Sequence, residues 1–400
     1  MSPSTFTWLD HRSEDAQRVR EALAAFDDQG MIDPLGFGVV RDAFSEMLFP
    51  GTSTVQNGAR YFVFVPWVYQ RLDREQIAPV AGAQRARELE VELIEALLRG
   101  STEHDGIIGR YSRATTKQLP SAIYWGGLRR WGIRRFTGSR TDYVATLTER
   151  RKLVTQQRDD DHRLGLSAWQ VDLPPEKPGT FEESTLDLPL DEAEYLQNRI
   201  LNAAPETYLA LLVRDGDSTQ EAEWPWSHPL AAAAPHRIRT QLEHAELFST
   251  VSWGAGLLYN RELSRMLEED GGEPIGDFDA ILDQWLEQMA ALEPAFRHWD
   301  RAELWALVET ETPVVSFVVR SFIDRWLDLA IASPKNAIND PESVALLRGR
   351  EAQLKGPRAK LANRRAREIS PSAQGDRQLQ YRWPQVSRIV TDILWGLEGA

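Results

Sequence analysis

The stretch PQVSRIVTDILWGL, residues 384–397, indicates the fold class, because its apolar residues recur at the spacing of one helix face. Pro384 stands in the first turn, where its fixed φ suits a helix and its missing N–H is not needed. The segment therefore predicts an amphipathic helix with one face in a core. The apolar positions are Val386, Ile389, Val390, Ile393, Leu394 and Leu397.

The same spacing recurs along the chain and predicts an all-α fold, an irregular multi-helix bundle with few or no short strands. Two short apolar runs, 61–65 and 209–213, fit either a strand or a buried helix, and we interpret both as helix. The other predicted helices cover residues 13–30, 83–99, 191–202, 206–213, 236–267, 278–289, 301–309, 314–332 and 341–354.

The clearest linker is residues 173–190, which contain four prolines and several acidic residues. That composition is too rich in proline for a helix and too polar for a core strand. It predicts an N-terminal helical part, 1–172, and a C-terminal helical part, 191–400. The length of 400 residues is compatible with such a division or with one large helical body.

Several protein classes are disfavoured by what the sequence contains. It has no cysteine, which excludes disulfides and thiolate chemistry. Its first residues do not form a secretory signal, and the longest apolar stretches, 61–69 and 314–332, are too short or too charged for a bilayer. We therefore expect a cytoplasmic protein without a membrane segment.

No recognised catalytic motif is present, including the P-loop, H-E-x-x-H and G-x-S-x-G patterns, so we lean towards a protein that is not an enzyme and expect no metal or cofactor. A run of acids could hold a divalent cation, although a solvated loop is the interpretation we favour. His104 and Asp105 form a weaker candidate for a base and its orienting acid. The acidic run consists of Asp159, Asp160 and Asp161, followed by His162.

The formal net charge is −14, but the positive charges are concentrated in two segments. The first basic segment, Arg110 to Arg158, has twelve basic and two acidic residues, a net charge of +10. The second basic segment, Arg348 to Arg388, has eleven basic and three acidic residues, a net charge of +8. The remaining 310 residues carry a net charge of −32. A polyanion could therefore bind the basic segments, and a basic partner protein could bind the acidic remainder.

Within the first basic segment, aromatic residues alternate with arginines, a pattern typical of nucleic-acid grooves. A short helix-turn-helix with Ser121 as cap is a second interpretation, and a third places the aromatics in the core and pairs the arginines with the chain's own acids. The candidate nucleic-acid-binding residues are Arg110, Arg113, Lys117, Arg129, Arg130, Arg134, Arg135, Arg140, Arg358, Lys360, Arg364 and Arg365.

A separate candidate lies at Gly51 to Arg60. Ser53 and Gln56 fit the capping box of a following helix. The alternative is an anion-binding site, because hydroxyl groups and a helix N-terminus would converge there. Its candidate residues are Thr52, Ser53, Thr54 and Arg60.

Several longer motifs resemble an uncharacterised bacterial family, a domain of unknown function, over nearly the whole chain. The resemblance implies one full-length module that spans both sides of the proline-rich linker, without catalytic residues to transfer. It also implies a gene placed beside helicase and phospholipase-D-like genes in phage-defence neighbourhoods. The motifs are FTWLD (6–10), LGFGVVRDAF (35–44), LFPGTSTVQNGARYFVFVPWVY (48–69), LPSAIYWGGLRRWGIRRF (119–136) and LKGPRAKLANRRARE (354–368).

Three functions stay open. The first is a non-catalytic accessory protein that engages DNA or RNA in an anti-phage defence or DNA-transaction complex, with a helicase or phospholipase-D-like protein as a partner. The second is an assembly subunit that makes only protein contacts. The third is an unrecognised metal-dependent hydrolase.

Overall fold

The computed structural model describes residue 33, residues 35–156 and residues 167–399, with the side chains of 153–156 excepted. The structure is 64% helical, and no strand or sheet occurs in these ranges. An isolated β-bridge joins Arg134 to Trp169. The predicted all-α fold is confirmed.

The described residues of the N-terminal part form six helices. The longest, α3, ends at Gly100, where the sequence predicts a stop. A short 3₁₀ turn, Arg113–Thr115, lies in the loop that follows. The six are α1 (Gly38–Leu48), α2 (Tyr61–Arg74), α3 (Pro79–Gly100), α4 (Pro120–Arg130), α5 (Arg140–Ala145) and α6 (Leu147–Gln156).

The C-terminal part supplies twelve helices, of which α10 has 34 residues. They are α7 (Leu190–Ala203), α8 (Tyr208–Asp215), α9 (Pro229–Ala233), α10 (His236–Glu269), α11 (Asp279–Ala291), α12 (Glu293–Phe296), α13 (Arg301–Glu311), α14 (Phe317–Ala332), α15 (Pro334–Ala337), α16 (Pro341–Lys355), α17 (Arg364–Ile369) and α18 (Trp383–Glu398).

The periodic segments from residue 83 onward coincide with helices, to within four residues at each end. Helix α3 begins four residues before its predicted start, at Pro79, and α14 begins three residues after its predicted start, at Phe317. The runs 61–65 and 209–213 lie in α2 and α8, so their interpretation as helix is confirmed. The helix predicted for residues 13–30 lies outside the described residues.

Helix α2 is the centre of the N-terminal part. Ten of its fourteen residues are buried, including Pro66 inside the helix. A helix that is apolar on nearly all sides must be surrounded by other elements. It packs against α3 and α4, and its tryptophan, Trp67, donates a 2.8 Å hydrogen bond to the carbonyl of Pro174.

The proline-rich segment 173–190 lies along α2. Arg71 of α2 forms an ion pair with Glu176 and stacks over the ring of Phe181 at 3.9 Å. Helix α1 packs against α10 and α13, and α18 packs against α7 and α8. Buried residues of both parts of the chain therefore belong to one continuous hydrophobic cluster.

Crossing a bilayer requires a long and apolar helix. Across the described ranges, none of the helices has that combination of length and hydropathy.

Candidate nucleic-acid interface

Most aromatic residues of the first basic segment are core residues. Tyr124, Trp125 and Trp131 are buried, and Trp131 stacks on Phe62 with ring centroids 3.8 Å apart. Their polar atoms bond within the protein, as when the Trp131 indole donates to the carbonyl of Pro50 at 2.8 Å. Tyr111 differs, since 87% of its surface is exposed.

The helix-turn-helix interpretation is wrong in its cap and in its second helix. Leu119 is the N-cap of α4, because Pro120 takes the first helical position. Ser121 therefore lies within the first turn, where its N–H and hydroxyl both donate to the buried carboxyl of Glu90 in α3. Residues 131–139 after α4 are not helical, and the next helix, α5, has six residues.

Arg134 is buried, with 4% of its surface exposed. Its guanidinium donates to the carbonyls of Trp125, Phe136 and Gly138, and it lies 4.5 Å from the centre of the Trp125 ring. The planar fork of arginine suits such a set of carbonyls. In this conformation Arg134 is an internal cross-link that holds the turn after α4.

The other arginines predicted in the first basic segment lie at or near the surface, where several contact side chains of the protein. Arg110 pairs with Asp105 at 3.1 Å, and Arg113 pairs with Glu95 at 3.7 Å. Arg130 pairs with Glu46 at 2.9 Å. The Arg140 guanidinium donates to the hydroxyl of Ser121 at 3.1 Å.

Two carboxylates join the first basic segment to the second. Asp105 accepts hydrogen bonds from Arg110 and from Arg388 of α18, each at 3.1 Å. Glu46 of α1 accepts from Arg130 at 2.9 Å and from Arg382 at 3.3 Å. We call these the Asp105 junction and the Glu46 junction.

The two junctions flank the loop of residues 51–58. At one end Arg382 donates to the carbonyl of Thr52 at 2.7 Å. At the other end Gly106, with φ of +79°, leaves no room for a Cβ between the Arg388 guanidinium and the carbonyl of Asn57. The two basic segments therefore meet around one surface loop.

The charges at the two junctions differ. The hydrogen bond from Arg388 and the charge of Arg388 lower the pKa of Asp105, and Arg110 lowers it further. This carboxylate therefore stays ionised. With two arginines on one carboxylate, the Asp105 junction keeps one excess positive charge. At the Glu46 junction a further carboxyl group, Glu311, lies close enough for its charge to interact with Glu46 and Arg130. Burial and then the charge of Glu46 raise its pKa.

The second basic segment contributes both buried and exposed groups. Lys360 is buried and donates to the carbonyl of Ser372 at 3.3 Å; burial, followed by the charge of Lys355, lowers its pKa. Arg364 pairs with Glu368 at 2.7 Å and with Asp270 at 3.5 Å. Lys360 and Arg364 are therefore held by the protein itself.

Eight predicted cations are exposed on the described surface, and Arg113, Arg130 and Arg364 form the ion pairs given above, which leaves five others. Arg129 donates to the carbonyl of Arg135 at 3.3 Å, which keeps both residues beside the C-terminal end of α4. Lys117 lies just before α4. Arg358 lies before α17, and Arg365 is the second residue of α17. Among the described residues, no carboxylate forms an ion pair with Lys117, Arg129, Arg358 or Arg365. The five are Lys117, Arg129, Arg135, Arg358 and Arg365.

The predicted capping box is wrong, since no helix follows Ser53 directly: α2 begins at Tyr61. One of the two hydrogen bonds of a capping box is present within the loop, because the Ser53 N–H donates to the Gln56 side chain at 3.1 Å. The Thr52 hydroxyl donates to the carbonyl of Phe49 at 2.7 Å. Thr54 lies exposed in the same loop.

The cation of the predicted anion site already has an anion. Arg60 is buried and donates to both carboxylate oxygens of Glu192 in α7, at 2.8 and 3.0 Å. The N-terminal end of α2 is also occupied, because the N–H of Ala59 donates to Asp392 of α18 at 2.8 Å. Burial raises the pKa of Asp392 to about 6. Two carboxylates of the protein thus stand where an external anion was predicted.

The sequence offers two candidates for hydrolytic chemistry, a divalent-cation site and a base with its orienting acid. In the described ranges, no three His, Asp or Glu side chains are grouped as a metal ion would require. Asp105 bonds to Arg110 and Arg388, while the His104 ring bonds to the carbonyl of Leu98 at 3.2 Å. The acidic run from Asp159 to His162 lies outside the described residues.

The Glu46 and Asp105 junctions were missed by sequence reasoning. Their arginines belong to the basic segments, but their carboxylates lie in neither segment. Glu46 is 336 residues from Arg382, and Asp105 is 283 residues from Arg388. One sequence offers no signal for a contact at that separation.

A model described as Family of unknown function (DUF6361) matches residues 3–395 of the chain. No curated protein and no solved structure matches it. The matched range includes both basic segments and the proline-rich segment between the two parts.

Proposed function

The chain belongs to this family of unknown function, and from that premise we propose that it is a non-catalytic accessory protein that engages nucleic acid. Its place in an anti-phage defence or DNA-transaction complex of the cytoplasm, beside a helicase or phospholipase-D-like protein, is part of the proposal. That part derives from the family resemblance.

The meeting of the two basic segments at the Asp105 and Glu46 junctions carries the proposal. A chain of net charge −14 repels a polyanion unless its positive groups are collected in one place. Here arginines that are hundreds of residues apart converge on both ends of the 51–58 loop. Phosphate groups recognise such a cluster through charge and hydrogen bonding, without reading sequence.

The structure also narrows the set of contacting residues. Arg134 and Lys360 are buried, so they do not contribute contacts in this conformation. The proposed phosphate contacts come from exposed cations, with Lys117 and Arg129 from the first basic segment and Arg358 and Arg365 from the second. Non-specific affinity of this kind falls steeply with salt, because binding releases counterions.

Binding can be measured by fluorescence anisotropy with a labelled 20-nucleotide DNA strand of mixed sequence. Four phosphate contacts predict a loss of affinity of about 50-fold between 50 and 200 mM salt. The variant Lys117→Ala/Arg129→Ala should bind more weakly and have a shallower salt dependence. The matched control is Arg297→Ala/Arg325→Ala, which removes two exposed arginines outside both segments.

Binding that is absent at 50 mM salt, or that does not change with salt, contradicts the proposal. Equal losses in the two double variants contradict it as well, because the control changes the net charge by the same amount. A thermal melt of each variant is the control for folding, and we expect no change in melting temperature because the substituted positions are exposed.

A second candidate function, assembly through protein contacts, is favoured by an exposed apolar cluster between α13 and α14. Val314 and Phe317 are 86% and 81% exposed, and Val318 is about half exposed. Clustered apolar side chains at such exposure are typical of protein-binding surfaces. The acidic residues Glu309 and Glu311 end α13 just before the cluster, so its occupant would be an apolar segment that carries basic residues.

The second candidate is tested with each protein encoded beside the gene, purified and mixed with this chain. A complex that survives nuclease treatment and is lost in Phe317→Ser supports assembly. A complex that Phe317→Ser leaves unchanged, or no complex with any of these proteins, contradicts it.

A further inference from the structure

We propose that the nucleic acid is single-stranded and that Tyr111 stacks on one of its bases. This inference rests on the proposed function, and it assigns the exposed loop between α3 and α4 as the place where a base is held.

Tyr111 presents an open aromatic face. The ring is 87% exposed, in a segment whose other aromatic residues are mostly buried. The guanidinium carbon of Arg110 lies 4.7 Å from the ring centre and covers one side of it. An aromatic ring that rests on a cation and leaves its other side to water can extend the stack by one more flat group.

Hydrogen bonds of Arg110 fix the position of the Arg110 side chain against the Tyr111 ring. Arg110 donates to Asp105 at 3.1 Å and to the carbonyl of His104 at 3.0 Å. Asp105 is held in turn by Arg388 of α18, which belongs to the second basic segment. Tyr111 therefore stands at the Asp105 junction, where one positive charge is in excess. Less conformational freedom is lost on binding when the platform is already ordered.

Two residues that follow Tyr111 in the same loop supply phosphate contacts. The Arg113 side chain is 59% exposed, with Glu95 at 3.7 Å as its ion-pair partner. Lys117 follows four residues later and is exposed. An aromatic platform between cations is the arrangement by which proteins hold successive nucleotides of a single strand.

A double helix does not suit this platform. Its bases are stacked on both faces and paired at their edges, so a side chain reaches the face of a base only after unstacking it. An unpaired base has a free face, and stacking on an aromatic side chain contributes about 1–3 kcal/mol per base. Tyr111 therefore distinguishes a single strand from a duplex, whereas the surrounding arginines bind both.

The test compares three labelled 20-nucleotide probes: a DNA strand, its duplex, and the same strand with abasic sites at every position. The proteins are wild type, Tyr111→Ala and Tyr111→Phe, with Phe317→Ala as the control because Phe317 is similarly exposed and lies outside both basic segments. Anisotropy is recorded at 50 mM salt.

We expect Tyr111→Ala to weaken binding of the intact strand at least about fivefold and Tyr111→Phe to preserve it, since the ring and not the hydroxyl makes the stack. Binding of the abasic strand should be weaker in wild type and unaffected by Tyr111→Ala, because its phosphates remain but its bases are gone. Phe317→Ala should change neither.

The outcomes separate the two proposals. If the duplex binds as tightly as the strand, or if Tyr111→Ala has the same affinity as wild type, the stacking inference is wrong while salt-dependent binding still supports the proposed function. If no probe binds at 50 mM salt, both are wrong.

Discussion

Arg60 and Glu192 form a buried, two-bonded ion pair that joins the start of α2 to the start of α7 across 132 residues. The Arg60 guanidinium also donates to the carbonyl of Thr185 at 2.8 Å, and Lys177 approaches Glu192 at 3.8 Å. The pair thus anchors the end of the proline-rich segment to the N-terminal part. An arginine predicted to bind an external anion has a structural task instead.

Removing either partner should destabilise the protein strongly, because the other charge stays buried without its two-bonded partner. We expect Arg60→Ala and Glu192→Ala each to lower the free energy of unfolding by about 3–5 kcal/mol, measured by chemical denaturation. The double variant should lose much less than the sum of the two.

The matched control is the exposed pair of Arg237 and Glu206, whose N–O distance of 2.7 Å is equally short. Because water screens exposed charges, Arg237→Ala should cost less than about 1 kcal/mol. A loss of that small size in Arg60→Ala would show that burial does not strengthen the Arg60 contact.

Substitutions of Arg134 and Arg129 should affect different properties, the first the stability of the protein and the second DNA binding. Arg134→Ala leaves three carbonyl groups without their donor, so we expect a loss on the order of 3 kcal/mol in the free energy of unfolding. Arg129→Ala, at an exposed position, should leave stability unchanged and weaken DNA binding. Denaturation and anisotropy on the same samples give both quantities, and a stable Arg134→Ala protein would contradict the cross-linking role.

The helices were predictable because their signal is local. In α18 the apolar residues repeat every three or four positions, and that spacing needs no knowledge of the rest of the chain. The cap of α4 was not predictable in the same way. Ser121 is a good capping residue by type, but Pro120 fixes the first helical position and Glu90 of α3 takes the bonds that a cap would make.

The roles of the arginines depend on distant contacts. The sequence shows that Arg129, Arg130 and Arg134 are close together on the chain, yet one is exposed, one is paired and one is buried. Their partners come from α1 and from backbone carbonyls, which composition cannot indicate. Clustering of charge was therefore visible in the sequence, whereas the availability of each charge was not.

The stability of the protein should respond to Asp392 between about pH 4 and pH 6. The ordinary pKa of an aspartate is 3.8, and burial raises the pKa of Asp392 to about 6 in the folded state. Arg388 opposes this shift and Asp187 adds to it. In that window the folded state binds more protons than the unfolded state, so this carboxyl makes the free energy of unfolding fall as pH rises.

Asp392→Asn should remove that dependence. An amide oxygen can still accept from the N–H of Ala59, and no charge is buried. At pH 7 we expect the variant to be more stable than wild type by about 3 kcal/mol, a difference that shrinks towards pH 4. Denaturation of both proteins from pH 4 to pH 7 measures it, and a difference that does not change with pH would contradict the assignment.

Asp105 limits how much positive charge the interface presents, so Asp105→Asn should strengthen nucleic-acid binding. Arg110 and Arg388 bond different oxygens of Asp105, so the amide keeps an acceptor for one of them while it removes the negative charge between them. We expect the affinity for the 20-nucleotide strand to rise several-fold at 50 mM salt and the gain to shrink at 500 mM, where charges are screened beyond about 4 Å.

The control is Asp217→Asn, which removes one negative charge from an exposed loop next to α8, outside both basic segments. Since the two variants have the same net charge, a gain confined to Asp105→Asn locates the binding site at the Asp105 junction. Equal gains would show that only the total charge matters, and a loss of affinity in Asp105→Asn would show that the carboxylate is needed to hold Arg110 beneath Tyr111.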